Sequence, residues 1–167
     1  SFNAVVTIEQ TILSVINQEF KDYEYIIIDG VSTDGTVDIL KKYHDKITFW
    51  VSEPDNGIYD AMNKGVKIAK GEFVGILNSD DWYEIGALKK VVNYIDSNSN
   101  VDVFHGLLRI IKVENNEPSL IRGHYSFNLN NGMIEHPTCF VKRKLFDTIG
   151  GFDLSYKSAA DYDWMLK

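Results

Sequence analysis

Ile26-Ile27-Ile28-Asp29 and Phe73-Val74-Gly75-Ile76-Leu77-Asn78-Ser79-Asp80-Asp81 are two apolar runs that each stop at carboxylates. A short continuous apolar run has the pattern of a parallel strand covered on both faces, and open α/β sheets bind ligands at such strand ends. The two runs therefore mark one edge of a sheet as the place to look for a site.

Outward from these runs the chain alternates helix and strand patterns. Residues 8 to 19 place Ile8, Ile12, Val15, Ile16 and Glu19 at helical spacing, with Thr7 as the candidate cap, and a strand over 25 to 28 follows. Ser32-Thr33-Asp34-Gly35-Thr36 is rich in turn formers, and Asp34 or Thr36 can cap a helix over 37 to 43. A strand over 47 to 51 leads through the polar loop Glu53-Pro54-Asp55-Asn56-Gly57 to a helix over 58 to 69, with Gly71 expected in a left-handed stop. The strand over 73 to 77 is followed by a helix over 84 to 98 with Leu88, Val91, Val92 and Ile95 on one face. This alternation argues for a mostly parallel central sheet covered by helices on both faces. Beyond Asn100 the expected order is one or two strands over 101 to 113, a turn over 114 to 118 and a loop over 126 to 132. A strand over 138 to 141, a short helix over 143 to 149, a break at Gly150-Gly151 and a last acidic helix complete it.

The chain has 167 residues, 44% of them apolar, which suits a single domain over 1–167 with one ordinary core. Twenty-four acidic against 17 basic residues give a formal charge of −7, which disfavours nucleic acid as a partner and means that an anionic ligand needs a counter-ion. The single cysteine, Cys139, cannot form an intrachain disulfide, and a reducing compartment is the simplest expectation. No apolar run approaches the roughly 20 residues of a membrane span, and no signal peptide is visible, so a cytoplasmic location is expected. Both ends read as cut, with a short strand expected before Ser1 and more helix after Lys167.

Several groups can do chemistry. Asp80 and Asp81, with the oxygen of Asn78 close by, suit a hard divalent cation such as Mg²⁺ or Mn²⁺, which also shares ligands with a substrate diphosphate. The alternative is that both carboxylates cap the helix that follows. Asp29 can accept a hydrogen bond from a nucleobase or a sugar hydroxyl, or it can stabilise its own turn. Gly30, Gly35 and Gly57 allow close backbone approach, yet no phosphate-loop or complete Gly-x-Gly-x-x-Gly pattern is present. Asp161 and Asp163 lie far downstream, separate from the metal candidates as a base has to be, and either can instead be an N-cap. His136, beside Glu135 and Pro137, can contact a phosphate, orient a loop or be structural.

Taken in order, Asp29-Gly30-x-Ser32-Thr33-Asp34-Gly35-Thr36, Glu53-Pro54-Asp55-Asn56-Gly57-Ile58-Tyr59-Asp60-Ala61-Met62-Asn63-Lys64-Gly65, Asn78-Ser79-Asp80-Asp81, Gly150-Gly151-Phe152-Asp153 and Ala160-Asp161-Tyr162-Asp163 closely resemble the family 2 glycosyltransferases, inverting enzymes of the GT-A fold. The resemblance runs from Phe2 to Lys167. It implies metal-dependent transfer of a sugar from a nucleotide diphosphate sugar, usually a UDP-sugar, to an acceptor hydroxyl with inversion. The acceptor implied is a glycan or lipid-linked molecule of bacterial surface polysaccharide or lipopolysaccharide synthesis, with the full-length protein peripheral to the inner face of the membrane.

By similarity, residues 1–100 bind the nucleotide sugar and 101–167 face the acceptor. Asp29 meets the uracil or its ribose, Asp80 is the metal ligand with Asp81 beside it, and Asp161 is the general base. The same resemblance places Ser32, Asp55, Asn56, Asn63, Asn78, Asp81 and His136 around the substrate. Three positions depart from the family pattern: Asn78 replaces the first aspartate of Asp-x-Asp, Gly30 a second aspartate after the first strand, and Ala160 the acidic neighbour of Asp161. These departures admit a second expectation, a sugar-nucleotide-binding domain that has lost turnover. A third, a metal-dependent nucleotidyltransferase, requires a basic Gly-rich loop near the N-terminus that the sequence lacks.

Overall fold

In the computed structural model, residues 1–112, 117–123 and 133–167 are described. The elements follow the order α1 (Ile8–Ile16), β1 (Ile26–Asp29), α2 (Thr36–Lys42), β2 (Phe49–Ser52), α3 (Ile58–Ile68), β3 (Phe73–Gly75) and α4 (Ala87–Ser97). Then come β4 (Val103–Phe104), β5 (Leu108–Lys112), β6 (Glu117–Arg122), β7 (Phe140–Lys142), α5 (Lys144–Ile149) and α6 (Ala160–Met165).

β1 and β2 pair in parallel, Ile26 with Phe49 through Asp29 with Ser52. β7 lies between β3 and β4 and runs antiparallel to both, while β5 and β6 form an antiparallel pair with an irregularity at Ile110/Ile111. The fold is thus mixed α/β, and its parallel ladder among the described residues is the β1–β2 pair.

Two buried clusters hold it together. α1 and α2 lay Ile8, Ile12 and Leu40 against Ile27 of β1. Ile12 and Leu40 are fully buried, and each such side chain contributes about 2 kcal/mol relative to exposure. The second cluster gathers Val141 of β7, Phe146 of α5, Phe152, and Ala160 and Trp164 of α6, with Met62 and Val66 of α3 packed against it. The rings of Phe146 and Trp164 stack at 4.5 Å, and the Trp164 indole N–H donates to the Gly150 carbonyl at 2.7 Å.

Where expected boundaries move, local hydrogen bonds explain the shift. Gly71 does not take the left-handed conformation; α3 stops because the N–H groups of Lys70 and Gly71 both go to the Glu24 carboxylate, at 2.7 and 3.1 Å. β3 ends at Gly75 because its partner β7 begins at Phe140, preceded by a 3-10 turn over His136–Thr138 that takes Thr138 out of the expected strand. α4 starts at Ala87 rather than 84, behind Gly86 at φ 76°. The Thr7 hydroxyl reaches the Ala4 carbonyl at 3.5 Å instead of capping α1. The N-cap of α2 is neither Asp34 nor Thr36 but Gly35, at φ 104°; Asp34, one residue earlier, accepts at Oδ1 from the Thr36 N–H at 3.0 Å and the Thr36 hydroxyl at 2.6 Å. Of the turn expected over 114 to 118, Glu117 and Pro118 belong to β6; the rest of it and the loop over 126 to 132 lie outside the described residues.

Candidate active site

Asp29 ends β1 and is fully buried. Its Oδ1 accepts from the hydroxyls of Ser32 at 2.5 Å and Ser1 at 3.1 Å, and its Oδ2 from the Ser32 N–H at 2.9 Å and the Ser52 hydroxyl at 2.7 Å. Burial alone raises a carboxylic acid, but the donors from Ser32, Ser52 and Ser1 outweigh it and hold Asp29 below its ordinary value. The carboxylate expected at the nucleobase therefore secures the junction of β1, β2 and the loop after β1. Ser32 shares that work, since its hydroxyl oxygen also accepts from the Asn3 N–H at 2.8 Å.

The acidic group presented beside the loop after β1 is Asp55. A Cβ on Gly30 would stand 2.5 Å from Asp55 Oδ2, so the absent side chain of Gly30 leaves the space that Asp55 fills. α3 holds the loop around Asp55 in place. Lys64 donates to the Pro54 carbonyl at 2.7 Å and pairs with Glu53 at 3.0 Å, and Asp60 accepts from the Asn56 N–H at 2.8 Å. Gly57 at φ 105° turns the chain into α3, and its N–H goes to Asp55 Oδ1 at 2.9 Å. Asn63 faces elsewhere: its amide clamps Phe152, donating to the carbonyl at 2.9 Å and accepting from the N–H at 2.8 Å.

After β3 the chain turns at Asn78–Asp81, closed by the Asp81 N–H on the Asn78 carbonyl at 3.2 Å. With α4 starting at Ala87, neither Asp80 nor Asp81 caps it. Asp80 is exposed and Asp81 half-buried. Burial, then the charge of Asp80, push the Asp81 carboxyl up, against lowering contributions from the Asn78 amide and His136.

α1 supports this turn with a polar face that sequence reading missed. The Thr11 hydroxyl lies 3.0 Å from the Ser79 carbonyl and 2.8 Å from that of Asp81, and the Ser14 hydroxyl accepts from the Tyr83 N–H at 3.2 Å. The Gln18 amide donates to the Glu84 carbonyl at 3.0 Å and accepts from the Leu88 N–H at 3.3 Å. Thr11 and Gln18 are buried. The available signal was three polar residues spaced i, i+3, i+7, Thr11 and Ser14 on α1 and Gln18 two positions beyond its end.

Asp161 sits in the first turn of α6, behind Ala159, and is 6% exposed. It is no N-cap, because its carboxylate points to two side chains: Oδ1 accepts from the Tyr59 hydroxyl at 3.0 Å and Oδ2 lies 2.8 Å from His136 Nδ1. Burial raises it, but His136 and then Tyr59 outweigh this and hold it below the ordinary range. Ala160 is fully buried among Phe146, Phe152 and Trp164, so the position next to Asp161 is one of packing. Asp163 lies apart, paired with Lys167 at 2.7 Å. Cys139, whose N–H goes to the His136 carbonyl at 3.0 Å, is buried, and burial pushes its thiol up to about 12, which makes it a poor nucleophile.

The two ends of the site are joined. Asn78 Nδ2 donates to Asp81 Oδ2 at 3.1 Å and lies 3.3 Å from His136 Nε2. Tyr59, Asp161, His136, Asn78 and Asp81 thus form one hydrogen-bonded path across the end of β3. Tyr59 was missed as a site residue; its signal was a tyrosine one position inside the helix that follows the Asp55 loop.

The sequence model for Glycosyl transferase family 2 matches residues 1–161. A PGL/p-HBAD biosynthesis glycosyltransferase of Mycobacterium bovis is 30% identical over 175 residues, covering 100% of this chain, which spans 66% of that relative. Chondroitin synthase of Escherichia coli is 29% identical over 176 residues, of which this chain spans 25%. Among solved structures, Staphylococcus aureus TarS 1-349 in complex with UDP-GlcNAc superposes with a TM-score of 0.77 at 26% identity, over 99% of this chain and 50% of that one.

Proposed function

Because the chain belongs to glycosyltransferase family 2, we propose that it carries the donor-binding and proton-accepting groups of an inverting enzyme that moves a sugar from a UDP-sugar to an acceptor hydroxyl. The observation that carries this reading is the path from Asp81 through Asn78 and His136 to Asp161. It sets a carboxylate pair suited to the diphosphate side beside a proton-accepting cluster suited to the hydroxyl side. The likeness to TarS in complex with UDP-GlcNAc supports UDP as the nucleotide. Relatives named for chondroitin and for PGL/p-HBAD biosynthesis support a glycan or lipid-linked acceptor of the cell surface.

In this reading the Asp55 carboxylate, standing over the Gly30 backbone, receives the nucleobase or ribose, with Asp29 and Ser32 behind it as the frame. Asn56 and the loop around it close that pocket, and Asn63 holds it to the Phe152 segment. Asp80 and Asp81 offer only carboxylate oxygens at a turn, and no group of three acidic, histidine or cysteine side chains gathers among the described residues. That donor set fits Mn²⁺ or Mg²⁺ sharing its shell with diphosphate oxygens and water. Such an ion, when bound, offsets the charge on the departing diphosphate. Proton removal belongs to the Asp161 end, on the far side of Asn78. No helix among the described residues is long and apolar enough to cross a membrane.

Calorimetric titration of UDP with and without Mn²⁺ tests the reading. Binding is expected only with the ion, and Asp80→Ala should weaken it about tenfold or more, at least ~1.4 kcal/mol. Equal affinity for UDP in the wild type and in Asp80→Ala, with or without Mn²⁺, would remove Asp80 from the donor site.

A further inference from the structure

We propose that the acceptor is an amphiphile whose hydrocarbon part lies in the crevice between β6 and the segment Met133–Glu135 while its hydroxyl reaches Asp161. The proposal rests on the glycosyl-transfer reading for its reaction, and it chooses the lipid-linked acceptor over the free glycan.

The crevice measures about 500 Å³ and is lined by Leu120, Ile121, Arg122, Gly123, Met133 and Glu135, a size suited to a small-molecule ligand. Glu135 directly precedes His136, whose ring lies 2.8 Å from Asp161 Oδ2. The crevice therefore opens at the proton-accepting end of the site.

Contacts at both ends fix the β5–β6 hairpin there. Arg109 of β5 pairs with Glu84 at 3.0 Å, just beyond the Asn78–Asp81 turn. Gly106, before β5, lies against the 3-10 turn, where a Cβ built on it would stand 4.0 Å from the Thr138 Cβ. The Glu135 carbonyl accepts from the Thr138 N–H at 2.9 Å and its hydroxyl at 2.7 Å, which ties the opposite wall of the crevice to the same turn. At the end of β6 a Cβ on Gly123 would strike Leu107 Cδ2, so the bare backbone there is what lets Leu107 lie across it.

These walls are apolar and open. Leu107 is 72% exposed, Leu120 51% and Ile121 59%, and every residue of β6 is exposed. A two-stranded hairpin gains little stability by itself, and apolar surface gathered beside a reaction centre marks a place that a ligand covers.

The chemistry of the lining selects the ligand. Leu120, Ile121 and Met133 present methyl, methylene and thioether surface, and among the described residues no aromatic ring lines the crevice for a sugar face to stack on. Arg122 and Glu135 are opposite in sign, so the crevice asks for no net charge. A free oligosaccharide would set hydroxyls against Leu120, Ile121 and Met133 without partners, at a cost. A hydrocarbon chain gains there instead, about fourfold in affinity per methylene covered. With the chain so held, the acceptor hydroxyl gives its proton to Asp161 as its oxygen bonds to the anomeric carbon, and the diphosphate leaves that carbon with the bonding electron pair.

Two measurements on the protein test this. The Met133 methyl resonance, assigned through Met133→Leu, reads the crevice during titration with n-octyl β-D-glucoside below its micelle concentration and with methyl β-D-glucoside. The octyl glycoside should bind at least about tenfold tighter. The double variant Leu120→Ser/Ile121→Ser, at two exposed positions where substitution leaves the fold intact, should lose about tenfold or more of that affinity. Equal affinity for the two glycosides, or octyl affinity unchanged in the double variant, overturns the proposal. So does a wild-type dimer that the double variant dissociates, which would make the crevice an interface between two copies. Release of UDP from UDP-GlcNAc, UDP-glucose and UDP-galactose, with octyl or methyl β-glycosides of glucose, galactose and N-acetylglucosamine as acceptors, tests the role in transfer. At least one octyl glycoside should speed release about tenfold over its methyl counterpart at equal subsaturating concentration, in the wild type and not in the double variant. Octyl binding with no such acceleration, in a protein that does release UDP to water, overturns the acceptor role alone. A protein that neither binds UDP with Mn²⁺ nor releases it from any donor overturns the glycosyl-transfer reading, and the acceptor role falls with it.

Discussion

Gly30 and Asp55 illustrate how one missing side chain determines where another can lie. With 2.5 Å between a built Cβ and Asp55 Oδ2, Gly30→Ala must push Asp55 out of place. UDP affinity is expected to fall about tenfold, close to the loss in Asp55→Ala, and the double variant should be no worse than either single one. Additive losses would show that the two positions act separately. The family resemblance placed both Asp29 and Asp55 at the substrate, but sequence order says nothing of which loop folds over a glycine 25 positions earlier. Asp81 carries a second residue-scale consequence. Its folded value is raised by burial and by Asp80, so the stability it contributes is present below the ordinary carboxylate value near 3.9 and is lost as pH rises through the folded value. Asp81→Asn should therefore raise the melting temperature of the free protein at neutral pH while weakening donor binding, and a lower Tm would contradict the assignment.

At the scale of elements, α1 is the support of the Asn78–Asp81 turn rather than a cover alone. Gln18 reaches Glu84 and Leu88 while buried. Gln18→Ala leaves the buried Leu88 N–H without its partner, while the Glu84 carbonyl keeps the Ala87 N–H at 3.1 Å, and should cost about 1 to 2 kcal/mol by urea denaturation, with a matching loss of donor affinity if the turn shifts. A loss of stability with unchanged affinity would confine α1 to packing. Hydrophobic spacing made α1, β1 and α3 legible to within a few residues, because each has an apolar face of regular period. The ends were not, since Glu24 capturing Lys70 and Gly71, or the 3-10 turn that cuts β7 short, are contacts between distant parts of the chain.

Across the whole molecule, the site lies where the β1–β2 half meets the cluster around Phe146 and Trp164, and Asn63 ties α3 to Phe152 between them. A Cβ on Gly151 would stand 2.5 Å from Asn63 Oδ1, so the clamp also requires a glycine there. Asn63→Ala frees two backbone groups of Phe152 and should cost about 2 kcal/mol, with a larger fall in kcat than in UDP affinity, because it loosens the segment that leads to Asp161. Equal falls would mean that the clamp serves both halves alike. The carboxylates, the histidine and their order were readable in the sequence; their connection through Asn78 and Tyr59 was not, as it links residues up to 102 positions apart. Trp164 adds an optical consequence. Its indole is 5% exposed, stacked on Phe146 and three residues after Asp161, whereas half-buried Trp82 directly follows Asp81. With the third indole, Trp50 of β2, replaced by phenylalanine, the protein would keep one fluorophore for each end of the crevice: nucleotide should change the more solvated emission of Trp82, and rearrangement around the proton acceptor the shielded emission of Trp164.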